Sequence, residues 1–166
     1  LDRNVETGEM ILSGLGEAHV EVNLERIKRK FSVDLEAHVP RVPYRETVRA
    51  KAQAEYTHKK QTGGHGQYAK VALEVEPLPK GGGIQFENRT VGGVVPKQYI
   101  GSVEKGVMEG SHEGILAHYP MVDTKITLYY GREHPVDSSD MAFKIAASMA
   151  LKQATESAQP IILEPV

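Results

Sequence analysis

Apolar positions along this chain change their period several times, and each change marks an element. Val20, Leu24, Ile27 and Phe31 recur at i, i+4, i+7 and i+11, which predicts one face of an α-helix. Glu17 and Glu21 come early in that segment and Arg26, Lys28, Arg29 and Lys30 late, the order a helix dipole favours. Met10, Ile11 and Leu12 form a short apolar run before Ser13 and Gly14, read as a strand and a turn. After the helix, Val33, Leu35 and Ala37 alternate with polar neighbours up to Pro40, which predicts a second short strand. One helix and two short strands cannot enclose a core. Residues 1–40 therefore read as half of a small α+β domain.

From residue 41 to about 159 the pattern is that of a complete domain able to fold alone. Val48, Ala50, Ala52, Ala54 and Tyr56 alternate with Arg49, Lys51, Gln53 and Glu55, a half-buried strand. Residues 57–66 read as a basic, glycine-containing loop. Alternation resumes from Tyr68 to Glu76, with Val71, Leu73 and Val75 on one face. A turn over 77–83 leads to a third strand at 84–88. Gly92, Gly93 and Pro96 break the chain before a helix with Ile100, Val103 and Val107 inward. Val122, Thr124, Ile126, Leu128 and Tyr130 predict a fourth strand. Asp137, Ser138 and Ser139 then offer N-cap chemistry to a long helix that buries Phe143, Ala146, Ala147, Ala150 and Ala154 and stops at Pro160. The order is βββαβα, an α+β fold with helices on one face of a sheet.

If the first three strands make an antiparallel meander and the fourth lies parallel to the third, the loops at 57–66, 89–97 and 131–138 share one end. Both helices start at that end, so their positive dipole ends point there. The expected shape is an elongated body with one electropositive, glycine-bearing tip.

Composition narrows the classes of function. At 166 residues the chain fits one ordinary domain with flanking material. It has no cysteine, which excludes disulfides, thiolate metal sites and a cysteine nucleophile. No apolar run approaches a membrane span and no signal segment is visible, so a cytoplasmic protein is expected. The chain opens on Leu1 rather than methionine, and a fragment of a longer protein is expected. The net charge is −2, yet residues 41–70 carry a net +5, leaving −7 elsewhere. A local basic stretch steers partners whatever the total.

Several motifs fit their chemistry poorly. Gly64-His65-Gly66-Gln67-Tyr68-Ala69 spells a dinucleotide fingerprint, but a strand follows where a helix must begin. No Walker lysine motif is present. His112, Glu113 and His118 lack the spacing of a helical zinc site. His134, Asp137 and Ser138 resemble a hydrolase set only in residue type, and the last two fit helix capping better. No catalytic, cofactor-binding or metal residue is therefore assigned. The strongest feature is the stretch from His58 to Tyr68. Read plainly it is a solvated hairpin loop. Read functionally it is an RNA contact, with Lys59 and Lys60 on phosphates, glycine amides in close approach, and Tyr68 or a histidine stacking on a base. His134 is either part of the same tip or a turn residue before Pro135. Residue types alone leave these open.

Six blocks, in order, carry a resemblance across essentially the whole chain. They are Ser13-Gly14-Leu15-Gly16-Glu17-Ala18-His19, Pro43-Tyr44-Arg45-Glu46-Thr47, Lys59 through Tyr68, Gly92-Gly93-Val94-Val95-Pro96, His134 through Ser139, and Pro160 through Pro165. Together they resemble bacterial translation elongation factor G. The resemblance implies the second half of a ferredoxin-like domain III at 1–40, all of domain IV at 41–159, and the start of domain V at 160–166. It implies a ribosomal protein S5 domain 2-like fold for domain IV, with a left-handed βαβ crossover against the usual rule. It places GTP and Mg in a G domain outside this fragment, which is itself no enzyme, and makes the parent a monomeric translational GTPase that promotes translocation. The implied partners are the small-subunit decoding region of the ribosome, rRNA, tRNA and mRNA, with no membrane. The implied RNA-contacting residues are Lys59, Lys60, Gly63, Gly64, His65, Gly66, Gln67 and Tyr68 in one loop, and His134, Pro135, Val136 and Asp137 in the other. Two positions depart from the common bacterial pattern: His65 replaces an arginine and Ala69 a glycine. A mostly neutral imidazole does not reproduce a guanidinium contact. The main translocase and an elongation factor G-like paralogue both stay open. Ribosomal protection proteins share the architecture, though the block from His134 to Ser139 is closer to the elongation factor. A free-standing RNA-binding domain and an enzyme using the tip histidines are the rival readings.

Overall fold

A computed structural model describes residues 1–5 and 7–165. The chain divides into two compact units, Leu1–Pro43 and a larger one from Tyr44 onward.

In the first unit, strands β1 (Asp2–Arg3) and β2 (Met10–Ile11) pair antiparallel, and helix α1 spans Glu17–Phe31. No residue of α1 is buried. Val20, Leu24 and Ile27 line a cleft together with Met10, Ile11, Leu12 and Leu35, so the apolar stripe has a facing wall but no lid. The alternation from Val33 to Ala37 does not become a strand, because no neighbouring strand supplies a ladder. The chain just beyond it is held by Glu9, whose carboxylate takes the His38 ring at 3.1 Å and the Arg41 backbone N–H at 3.0 Å.

The second unit is built on a four-stranded sheet of β4 (Ala52–Thr62), β5 (His65–Pro77), β6 (Ile84–Asn88) and β7 (Thr124–Arg132). Helices α2 (Lys97–Glu113) and α3 (Asp140–Ser157) cover one face, and β3 (Arg45–Val48) pairs with β8 (Pro160–Leu163) beside it. The core joins Val71, Leu73, Val75, Ile126 and Leu128 of the sheet to Val103 and Val107 of α2 and to Phe143, Ala146, Ala147, Ala150 and Leu151 of α3. Tyr99 stacks on Phe143 at 4.6 Å between ring centres, locking the starts of the two helices together.

Four expectations change. The strands do not form a meander: the order is β4-β5-β7-β6, with β7 antiparallel to β5 and parallel to β6. Strand β7 buries Ile126 and Leu128 on one face and Thr127 on the other, so it takes an interior position and leaves short β6 at the edge. Strand directions are as expected, and the ends of β4, β6 and β7 still point the same way. The alternation from Val48 to Tyr56 is split, because Arg49 and Ala50 donate to the Ala158 carbonyl and end β3 before β4 begins. Residues 57–62 are strand, not loop. Finally, Tyr130 does not join the core. The β5–β7 register slips between Ala72 and Leu73, leaving Tyr129 as an extra residue in β7. Such a bulge resets the in–out alternation. Gly131 is buried while Tyr130 is exposed beneath the Lys70 ammonium, 5.6 Å from its ring centre.

Candidate functional site

The tip starts from ladder arithmetic. Strands β4 and β5 stay paired out to Thr62 and His65, so only Gly63 and Gly64 turn the chain. Their φ values of 60° and 105° suit a two-residue hairpin turn whose central positions both need positive φ. Strand β7 reaches β5 only as far as Arg132 opposite Lys70, and the hairpin continues five residues past that point to His65. Residues 133–138 fill the vacated lane beside β5. The Tyr68 N–H donates to the Asp137 carbonyl at 2.8 Å, and Ser138 Oγ donates to the Tyr68 carbonyl at 2.7 Å. Ser138 Oγ also accepts from the His134 N–H at 2.8 Å. One hydroxyl thus joins hairpin to loop.

His134 is fixed from its own loop. Its Nδ1 accepts from the N–H groups of Val136 and Asp137 at 3.2 and 3.1 Å. That occupies the Nδ1 lone pair and leaves the proton on Nε2 of the neutral ring, a donor on a side chain about half exposed (48%). The Tyr68 ring lies 6.0 Å from it, tilted by 57°. Asp137 folds over Gly66, where a Cβ would fall 2.7 Å from Oδ2, so a larger residue there would push that carboxylate aside. Across the hairpin, His58 Nε2 lies 2.8 Å from Gln67 Oε1. Pro135 and Val136 are exposed, the latter by 78%. Lys59, Lys60 and His65 are exposed as well, and among the described residues neither lysine has a carboxylate within 4 Å.

The sequence-derived residues therefore gather at one end, in the tip of the β4–β5 hairpin and the adjoining loop after β7. The third loop, at 89–96, points the same way but is set back, because β6 ends opposite Leu128 while β7 runs on to Arg132. Its Val95 enters the core. Three roles escaped sequence reasoning. Ser138 looked like a cap, but Ser139 alone caps α3, accepting from the Ala142 N–H at 3.1 Å. Neither His58 nor Tyr99, whose hydroxyl donates to the Ser138 carbonyl at 3.3 Å, carries a local signal of its role. Among the described residues no group of three His, Asp or Glu side chains is placed to hold a metal ion.

The joint is testable. Ser138→Ala is expected to cost about 1–2 kcal/mol, the scale of two hydrogen bonds lost in a half-buried setting. Hydrogen exchange should show faster exchange at the His134 amide, which loses its acceptor, and at the Tyr68 amide, whose bond to the Asp137 carbonyl loosens with the joint, with α3 unchanged. Unchanged exchange at both amides would contradict the assignment.

Comparison with known proteins finds family models that together match residues 1–159. Residues 40–159 match the family model for elongation factor G, domain IV, and residues 1–39 that for elongation factor G, domain III. A curated relative described as an elongation factor G-like protein, from Thermotoga maritima, is 51% identical over 161 residues, 97% of this chain and 24% of its own length. A crystal structure of a Thermus thermophilus protein superposes with a TM-score of 0.84 at 45% identity, covering 99% of this chain and 24% of that one. The chain spans about a quarter of the length of the relatives it matches.

Proposed function

This chain belongs to the elongation factor G family, and from that premise we propose that it is the ribosome-engaging part of a longer translational GTPase. In this reading the hairpin tip and the His134 loop meet the tRNA–mRNA duplex in the small-subunit decoding region and accompany its movement in the cytoplasm. GTP and Mg are bound by a G domain of the longer parent; the 166 residues contain no G-domain fold. The second unit is read as an S5 domain 2-like domain IV with a left-handed β6–α2–β7 crossover. Residues 1–40 are read as the later half of a ferredoxin-like domain III, and residues 160–166 as the start of domain V.

The observation that supports this reading is the joined tip. Two loops far apart in sequence are tied through Tyr68, Asp137 and Ser138, with Lys59 and Lys60 exposed beside them. Two lysines make too few phosphate contacts for tight binding, which takes about 6–10. Other domains docked on the ribosome raise the tip's effective concentration near its target. The name of the Thermotoga relative, together with His65 and Ala69, favours an elongation factor G-like paralogue over the main translocase.

In the full-length parent, Gln67→Ala, Tyr68→Ala and His134→Ala are expected to slow tRNA–mRNA movement about tenfold. Ribosome-stimulated GTP hydrolysis should stay near the unaltered rate. Lys59→Ala should chiefly lower the salt dependence of ribosome affinity. Movement at the unaltered rate by the His134→Ala parent would reject the tip assignment.

A further inference from the structure

The face of the sheet away from α2 and α3 divides into two halves of opposite character. In the half set back from the tip, Lys51, Lys125 and Arg89 interleave with Glu74, Glu76 and Glu87 at 2.7–3.7 Å, three cations against three carboxylates. Arg89 and Lys125 hold the Glu87 carboxyl down at about 2. That half satisfies itself.

Nearer the tip the balance is lost. Register places Lys59 opposite Tyr68, then Thr57, Lys70 and Arg132 in one row, then Glu55, Ala72 and Tyr130 in the next. Three cations meet one carboxylate in these rows, with Asp137 at the tip boundary. Lys70 is paired to Glu55 at 2.7 Å, while Lys59 and Arg132 have no carboxylate within 4 Å among the described residues. The bulge at Tyr129 turns Tyr130 onto this face, 38% exposed, with Lys70 beside its ring. Tyr68 and Tyr130 sit on the two central strands, four residues apart in register, or about 13 Å. Between them lies the Lys70–Arg132 row.

We propose that this half-face is a second RNA contact, a platform on which a single-stranded segment stacks a base on Tyr130 and lays its phosphates across Lys59, Lys70 and Arg132. Exposed aromatics on central strands, flanked by cations, give sequence-tolerant stacking on a sheet. An apolar partner would find too little apolar surface here. The unpaired positive charge selects a polyanion, and the exposed ring selects one that carries bases. The inference rests on the reading that the adjoining tip works on RNA, yet the two separate by experiment.

The 166-residue chain, isotope-labelled, is titrated with a single-stranded oligouridylate of about ten nucleotides. Amide shifts are expected at Lys70, Tyr130 and Arg132. Tyr130→Ala should weaken binding about fivefold or more, and Tyr130→Phe, which keeps the ring, should bind as the unaltered chain does. Arg132→Ala should reduce the salt slope by about 0.7. Shifts confined to residues 63–68 and 134–137 would overturn the platform and leave the tip reading intact. Shifts at the platform without the tip would do the reverse. Oligoglutamate that shifts the same amides as strongly, with Tyr130→Ala without effect, would overturn it by reducing the patch to charge alone.

Discussion

Glu46→Gln is expected to destabilise the second unit by about 3–5 kcal/mol, the largest single effect on its stability, because it removes a buried carboxylate that serves four backbone amides and leaves two of them facing another donor. The Glu46 side chain is inaccessible to solvent. Its Oε2 accepts the N–H groups of Ile115 and Leu116 at 2.7 and 2.8 Å, and Oε1 those of Ala117 and Tyr119 at 2.6 and 3.1 Å. Four backbone donors of the loop after α2 thus converge on one carboxylate. A glutamine in either orientation turns an NH₂ toward two N–H donors. Burial pushes the Glu46 carboxyl up, and the amides of Leu116, Ala117, Ile115 and Tyr119 together outweigh it, leaving it below the usual carboxylate range. A group depressed on folding contributes stability above its unfolded pKa and loses it as pH falls through the folded one. The unaltered chain should therefore lose stability on acidification, and Glu46→Gln should flatten that slope. Urea midpoints across pH measure both effects. Glu109→Gln, at an exposed ion pair with Lys144, should change stability by no more than about 0.5 kcal/mol. Equal behaviour of the two variants would refute the role given to Glu46.

Gly106→Ala should cost roughly 3 kcal/mol, an overpacking penalty at the upper end of the usual range. At Gly106, α2 runs so close to α3 that a Cβ would collide with the Lys144 carbonyl and sit 3.1 Å from the Ala147 methyl. Backbone cannot swing aside as a side chain does. Gly110, one turn on, lines the same seam, where a Cβ would sit 3.2 Å from Leu151 Cδ2. Gly101 lies on the same helix with nothing within 4 Å, so Gly101→Ala should stabilise by about 0.5–1 kcal/mol through helix propensity alone. Thermal unfolding of the two variants should shift in opposite directions. A shared direction would mean that propensity, not the seam, governs the helix.

Elements with local signals were legible in the sequence. The α3 stripe of Phe143, Ala146, Ala147, Ala150 and Ala154 is a 3.6-residue period and is all buried. The β5 face of Val71, Leu73 and Val75 follows from strand alternation. What stayed hidden depends on partners distant in the chain. Nothing near β7 says that it enters between β5 and β6, and nothing around Tyr129 marks a bulge. Pairing of β3 with β8 joins residues more than a hundred positions apart. Glu46 looks like any exposed strand carboxylate until the 115–119 amides close on it. At the candidate site, residue types picked out the hairpin and His134, and strand direction put both at one end. The joint through Ser138 was not visible, because a serine before a helix has a simpler reading as its cap.

Placement of the tip can be measured by directed hydroxyl-radical cleavage in the ribosome-bound, full-length parent. This chain has no cysteine, so Val136→Cys adds a single attachment point for a tethered iron chelate to the region, on an exposed loop. Lys80→Cys, in the turn after β5 at the opposite end of the sheet, is the control. Cleavage of the mRNA and the tRNA anticodon stem from Val136→Cys and not from Lys80→Cys is the predicted result. Cleavage from both sites alike, or none from Val136→Cys while ribosome-stimulated GTP hydrolysis persists, would contradict it.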